Sequence, residues 1–281
     1  MSTTPNPTPA PVPTPTTYTP TIATPSIASA PVAPVVVSAP IPPVAPTPAA
    51  LPTSTPVVAL YNKSTVVADS EIAAVAAALQ VQVDRDFGPL WKCAAEIVAV
   101  PSIGTPPPHA WVMEIADDAP ANMPGVLGFH DTAADDTPEG FDFAGTDKKY
   151  GQSYTLTASH ELVELLADQW AISCCFVQTS DTAGLLYPIE TADPVEGADA
   201  GYLIDNVLVS DFVTPAWFDN QLAPGSAKFD FCGHLTKPLE VMQGGYVSVF
   251  QVLTGSGWTQ RNSMEVIGKA PDYNDDPRHR R

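Results

Sequence analysis

His160 and Glu164 stand four residues apart, with Glu161 between them and Asp168 one further turn on. On a helix that advances about 100° per residue, Glu164 lies about 40°, Asp168 about 80° and Glu161 about 100° from His160, all within one quadrant. Leu156, Leu162, Val163, Leu165 and Leu166 cover the wider opposite arc, so the segment reads as an amphipathic helix with one polar stripe. Side chains at i and i+4 bring lone pairs to one point from a rigid base, which suits a divalent metal with ligands about 2.0–2.2 Å away. His160 and Glu164 are therefore the expected ligands. Glu161 would lean beside the ion, where a carboxylate takes a proton from water attacking a carbonyl, and its expected role is general base. The alternative is a solvated acidic face on an ordinary helix. Carboxylates one turn apart repel, however, so Glu164 and Asp168 call for a cation or a buried hydrogen-bond network.

Downstream, Glu190, Asp193 and Glu196 recur at intervals of three. That spacing fits a loop binding calcium on its own, and equally an acidic surface turn. His109, His130 and His234 stand alone and are expected to be structural or exposed. Tyr202 and Tyr246 could stabilise an oxyanion, but nothing in their spacing singles them out. Cys93, Cys174, Cys175 and Cys232 show no CxxC spacing and are expected to be buried free thiols.

The elements that must position these groups begin with a strand at Val57 to Leu60. A helix opens at Ser70-Glu71, runs through Ile72, Val75, Leu79 and Val83, and should stop by Gly88-Pro89. Strands are expected at Glu96 to Val100, Ala110 to Ile115 and Gly125 to His130, then an acidic loop through Asp135, Asp136, Glu139 and Asp142. The stripe helix follows from about Thr155. Further strands are expected at Cys174 to Gln178, Tyr202 to Val209 and Tyr246 to Leu253. Several strands beside two helices predict an α+β fold with a mixed sheet over residues 57–268.

Residues 1–56 contain 17 of the 32 prolines and no charged residue, the first being Lys63. Proline removes donors and fixes φ, so this stretch is expected to be a disordered, semi-stiff tether. Residues 269–281 are expected to be a flexible tail. Thirty-one acidic against 12 basic residues give a net charge of −19, which excludes nucleic acid and anionic membranes as partners and favours cations. No run approaches the roughly 18 apolar residues of a membrane helix. Met1-Ser2-Thr3-Thr4-Pro5 has no basic n-region, so no standard secretory signal is expected; the location stays unknown, cytoplasmic or virion-associated.

His160-Glu161-Leu162-Val163-Glu164 resembles the HExxH helix of the zincin metallopeptidases, whose catalytic domains run strand, helix and further strands, with an edge strand before that helix. Val57 to Asp168 is similar to this order. A narrower resemblance is to a group of phage and bacterial proteins carrying SHExxExxxD, ExxDxxE and VSDFVxPxWF. Here these read Ser159 to Asp168, Glu190 to Glu196 and Val209 to Phe218. The resemblance implies a zincin-like fold and a zinc metallopeptidase acting on peptide or protein, with Glu161 catalytic. By analogy with zincins that take a downstream glutamate, Glu190 is the third ligand, while Asp168, Asp193 and Glu196 are additional ligands or support them. The departure is Glu164, which stands where the second histidine belongs, and a more anionic site also suits calcium or manganese. The competing function is a non-catalytic structural or virion-associated module, assembled at a virion or cell surface through the Pro-rich tether and braced by a metal or an acidic network.

Overall fold

The computed structural model describes residues 55–253 and 257–262. The expected tether, except its last two residues, the expected tail and positions 263–268 lie outside the described residues. β1 (Val57–Asn62) is followed by α1 (Asp69–Val81), whose first turn is closed by Glu71 accepting the Ala68 N–H at 2.8 Å. Ile72, Val75, Ala76 and Leu79 give α1 the i, i+3, i+4, i+7 stripe that packs under the sheet. The helix does not stop at Gly88-Pro89. It widens into a π-helical stretch (Gln82–Phe87), continues as α2 (Gly88–Trp91) and ends at Lys92 in the left-handed region, φ 60°. Proline is tolerated there because it occupies the first turn of the new segment, where its missing donor costs nothing.

β2 (Glu96–Val100), β3 (Trp111–Ala116), β4 (Gly128–Thr132) and β5 (Pro138–Phe143) complete a five-stranded sheet in the order β2-β1-β3-β5-β4. The pairs β1/β2, β1/β3 and β3/β5 are parallel; β4 runs antiparallel to β5 and is an edge. The expected acidic loop is thus partly a strand inside the sheet. α3 (Ala144–Tyr150), also unforeseen, leads into α4 (Tyr154–Ala167), the stripe helix.

A four-stranded antiparallel sheet follows, built from β6 (Cys174–Ser180), β7 (Ala183–Pro188), β10 (Tyr246–Gln251) and β11 (Trp258–Asn262) in the order β11-β10-β7-β6. Between β7 and β10 lies a hairpin of β8 (Tyr202–Ile204) and β9 (Val207–Val209). It turns at Asp205 and Asn206, both at positive φ, as a two-residue hairpin of matching twist requires. The expected single strand over Tyr202 to Val209 is therefore two.

Two large apolar cores result, beside a small cluster of Ala59, Val100 and Ala110. One joins β1, α1, β3, α4 and Phe212; the other joins β6, β7 and β10 to Val213, Trp217, Phe218 and Phe229. Phe212, Trp217 and Phe218 are core residues. All four cysteines are free, but Cys174 and Cys232 are exposed and Cys93 and Cys175 half-buried, so the expectation of buried thiols fails. The architecture is mixed α and β, and no helix among the described residues is long and apolar enough to cross a membrane.

Candidate metal centre

α4 contains neither glycine nor proline, and its leucines bind it to the first core. Its polar stripe is buried as well: His160 is 9%, Glu161 6%, Glu164 3% and Asp168 5% exposed. That excludes a solvated acidic face. Each carboxylate needs a partner in such surroundings, because an isolated buried charge is costly.

Asp168 has its own. Its carboxylate accepts the Ser173 N–H at 2.6 Å and the Ser173 hydroxyl at 2.9 Å, clasping the chain just past the helix end and taking no part in the groups around His160. Ser159, on the far side of the stripe, donates to Gln82 Oε1 at 2.8 Å and accepts the Ser210 N–H at 2.9 Å, while Gln82 Nε2 donates to Ser210 O at 3.0 Å. Ser159 of α4 and Ser210, just after β9, are thus joined directly and through Gln82.

The remaining stripe residues face two other elements. A 3-10 turn (Asp193–Val195) after β7 presents Asp193, whose Oδ1 is 3.2 Å from His160 Nε2; Glu164 Oε2 is 3.3 Å from the same nitrogen. Glu164 Oε1 accepts the N–H groups of Ala192 at 3.0 Å and Asp193 at 3.3 Å. On the opposite side β4 presents His130. Its Nδ1 is 3.5 Å from Glu161 Oε2 and 3.7 Å from Glu164 Oε2, and its Nε2 is 3.8 Å from Glu190 Oε2. Two donor groups, His160/Glu164/Asp193 and His130/Glu164/Glu190, therefore share Glu164, each with its ligand atoms within 4.8 Å of one another. Asp193, rather than Glu190, lies against His160.

Two glycines permit this convergence. A Cβ at Gly128 would stand 2.7 Å from Phe141 O, 2.8 Å from Thr157 Cγ2 and 2.9 Å from Glu161 Cγ, so its absence lets β4 close onto α4. A Cβ at Gly245 would stand 2.5 Å from Pro194 O, so β10 can begin against the Asp193 turn only without one.

The electrostatics follow from burial and crowding. Burial alone would lower the His130 pKa, but the charges of Glu190, Glu161 and Glu164 outweigh it and raise it to about 9. His160 is likewise raised well above its ordinary value, burial being overcome by Glu164 and Asp193. Glu164 is pushed up to about 8 by burial, opposed by His160 and reinforced by Asp193 and Glu190. Burial also raises Glu196. Such a centre holds either protons or cations.

The donor set fits a divalent ion. Two imidazoles and several carboxylates converge, and two buried atoms of these residues, His130 Nε2 and Asp193 Oδ2, make no hydrogen bond within the described structure. His160, Glu161 and Glu196 also line a cleft of about 660 Å³, walled by Gly125 to Gly128, Leu156 and Tyr246. Glu190 instead lines a smaller cavity of about 200 Å³ with Ile172, Cys174 and Trp258. Tyr202 is engaged elsewhere, its hydroxyl donating to Asp86 at 2.9 Å.

Behind Glu161, Asp142 of β5 is pushed well above the carboxylate range by burial and by the Asp147 carboxylate. Asp147 accepts the Thr157 hydroxyl at 2.8 Å. A separate cluster gathers Asp211, Cys232 and His234, with His234 Nδ1 3.1 Å from Asp211 Oδ2. Its carboxylates are occupied by backbone: Asp211 accepts the N–H groups of Phe212 and Cys232, and Asp230 those of Gly233, His234 and Leu235. That cluster braces a loop.

Of the expected site residues, His160, Glu161, Glu164, Glu190 and Asp193 come together, Glu196 joins them at the cleft and Asp168 stands apart. His130 was missed. The one signal for it was its place in β4, where His130 and Thr132 alternate onto the buried face. No family model, curated protein or solved structure matches the chain.

Proposed function

We propose that the protein is a metal-dependent hydrolase of zincin-like construction, with His160, Glu164 and Asp193 holding a divalent ion and Glu161 as general base. The observation that carries this reading is the asymmetry of the buried stripe: His160 and Glu161 reach the cleft, while Glu164 and Asp193 stand behind them. The order strand, helix, strands, with β4 an edge strand ahead of α4, supports it.

The chemistry a bound ion supplies is Lewis acidity toward a carbonyl oxygen. Glu161 accepts a proton as water attacks the carbonyl carbon, then delivers it to the departing nitrogen as the C–N bond breaks. His130, with Nδ1 3.5 Å from Glu161 Oε2, orients that carboxylate. A cleft walled on one side by Gly125 to Gly128, which lead into the edge strand β4, suits a peptide substrate. Imidazole donors favour zinc or manganese over calcium, which prefers all-oxygen coordination.

The non-catalytic alternative is favoured by one observation: Glu164 Oε1 already binds two backbone N–H groups of the Ala192-Asp193 turn, as a structural brace does. Elemental analysis of protein purified without chelator, combined with peptide and casein cleavage before and after chelation, separates the readings. Hydrolysis lost on chelation and restored by zinc or manganese is expected. Metal without hydrolysis under any condition would leave only the structural module.

A further inference from the structure

We propose that this centre binds two divalent ions, the second held by His130 and Glu190, with Glu164 shared between the two positions. The proposal rests on the reading of a metal at His160, Glu164 and Asp193 and extends it inward. The two donor groups have no member in common except Glu164. His160 approaches from α4 on the cleft side and Asp193 from the 3-10 turn behind it; His130 approaches from β4 and Glu190 from the segment after β7.

The spacing argues for an ion in the second position. Two ligands at about 2.0–2.2 Å from a metal in tetrahedral geometry are about 3.4 Å apart. His130 Nε2 and Glu190 Oε2 are 3.8 Å apart, too long for a hydrogen bond and close to what a shared ion spans, and the ligand atoms of His130, Glu164 and Glu190 all lie within 4.8 Å of one another. His130 is 2% exposed, and its Nε2 makes no hydrogen bond within the described structure. A buried imidazole nitrogen that faces a carboxylate oxygen at 3.8 Å is placed to serve as a ligand. Ligation through Nε2 leaves the Nδ1–H for Glu161, 3.5 Å away, and metal-bound histidines ordinarily give their second nitrogen to a carboxylate.

Charge gives the second argument. Glu161, Glu164, Glu190, Asp193 and Glu196 surround the two imidazoles. One divalent ion leaves an excess of three negative charges among these five carboxylates, and a second ion lowers it to one. Adjacent ions bridged by a carboxylate are a recurring solution to such crowding. The two positions differ in access. His160 lies on the large cleft, whereas Glu190 lines the smaller cavity and His130 lines neither, so the inner ion serves to hold β4 and the Glu190 loop against α4 rather than to meet substrate.

The test is stoichiometry. The full chain is stripped by chelator, dialysed against zinc or manganese, and its metal content measured by elemental analysis and by titration calorimetry with the same metal. Two ions per chain are expected. His130→Gln and Glu190→Gln should each lower this to one, and Asp193→Asn should remove the other ion; circular dichroism confirms folding, and the two inner-position variants back each other up if one fails to fold. Manganese-loaded wild type should show a spin-coupled resonance signal that either inner-position variant abolishes. One ion per chain, unchanged in both inner-position variants, overturns the second ion and leaves the first reading intact. Two ions in all three proteins also overturn it, placing the second ion elsewhere. No bound metal in wild type overturns both.

Discussion

Glu161 and Glu164 respond differently to the loss of a carboxylate oxygen. Glu161→Gln keeps size and helix propensity and leaves the ligands in place, so metal content should persist while peptide hydrolysis falls by roughly 10²–10⁴-fold. Glu164→Gln removes the oxygen shared by both donor groups, so metal content and melting temperature should drop together, read by elemental analysis and a thermal melt. Gly128→Ala drives a methyl into Phe141 O, Thr157 and Glu161; about 1–3 kcal/mol of stability should be lost in urea titration, with hydrolysis falling further because the base is displaced. His160, Glu161 and Glu164 were legible because helical period is local: three positions on one turn need no knowledge of the rest of the chain. His130 was not, since what makes it matter is β4 folding over α4, a pairing no spacing encodes. Choosing between Glu190 and Asp193 as His160's neighbour depended on a 3-10 turn three residues long.

Among the elements, those with clean apolar periods were readable. β1, α1, β2 and β3 lie close to their expected positions because Val, Ile and Leu mark them. β5 was not readable: Pro138-Glu139-Gly140-Phe141-Asp142-Phe143 carries two acids, a proline and a glycine, the composition of a loop. It is a strand because β3 and β4 flank it, and the Asp142 carboxyl that this buries is pushed well above the carboxylate range by burial and by Asp147. The end of α4 gives a prediction at this scale. Asp168→Ala removes both Ser173 hydrogen bonds and should cost about 1–3 kcal/mol by urea titration, yet leave metal content unchanged, since Asp168 stands outside both donor groups. Loss of metal in that variant would return Asp168 to the ligand set.

Across the whole molecule, pH is the readout that reports the centre. His130, facing Glu161, Glu164 and Glu190, has its folded pKa raised from 6.5 to about 9, so its contribution to stability is full below about 6.5 and is lost as pH rises through 9. Glu164, facing His160, Asp193 and Glu190, is raised from 4.5 to about 8, so its retained proton favours the folded state below about 4.5, and that advantage fades by pH 8. Both groups act in the same direction. Chelator-treated protein should therefore melt at progressively lower temperature from about pH 5 to pH 9. With zinc or manganese present the trend should flatten or reverse, because ions replace the protons and bind more tightly as ligands deprotonate. A metal-free melt that stays level across this range would mean that the centre is not protonated in the folded chain.

The centre also lies where the two apolar cores meet. α4 and β4 belong with the first sheet, whereas Glu190 and Asp193 follow β7 of the second. An ion bound across that boundary ties one core to the other by bonds stronger than those of either packing surface, so occupancy should govern how cooperatively the chain melts. Scanning calorimetry offers a direct view: in the loaded protein the van't Hoff and calorimetric enthalpies should agree, as for a single all-or-none transition. In the stripped protein the van't Hoff value should fall below the calorimetric one, because the half built on β6, β7, β10 and β11 can then come apart before the half built on α1 and α4.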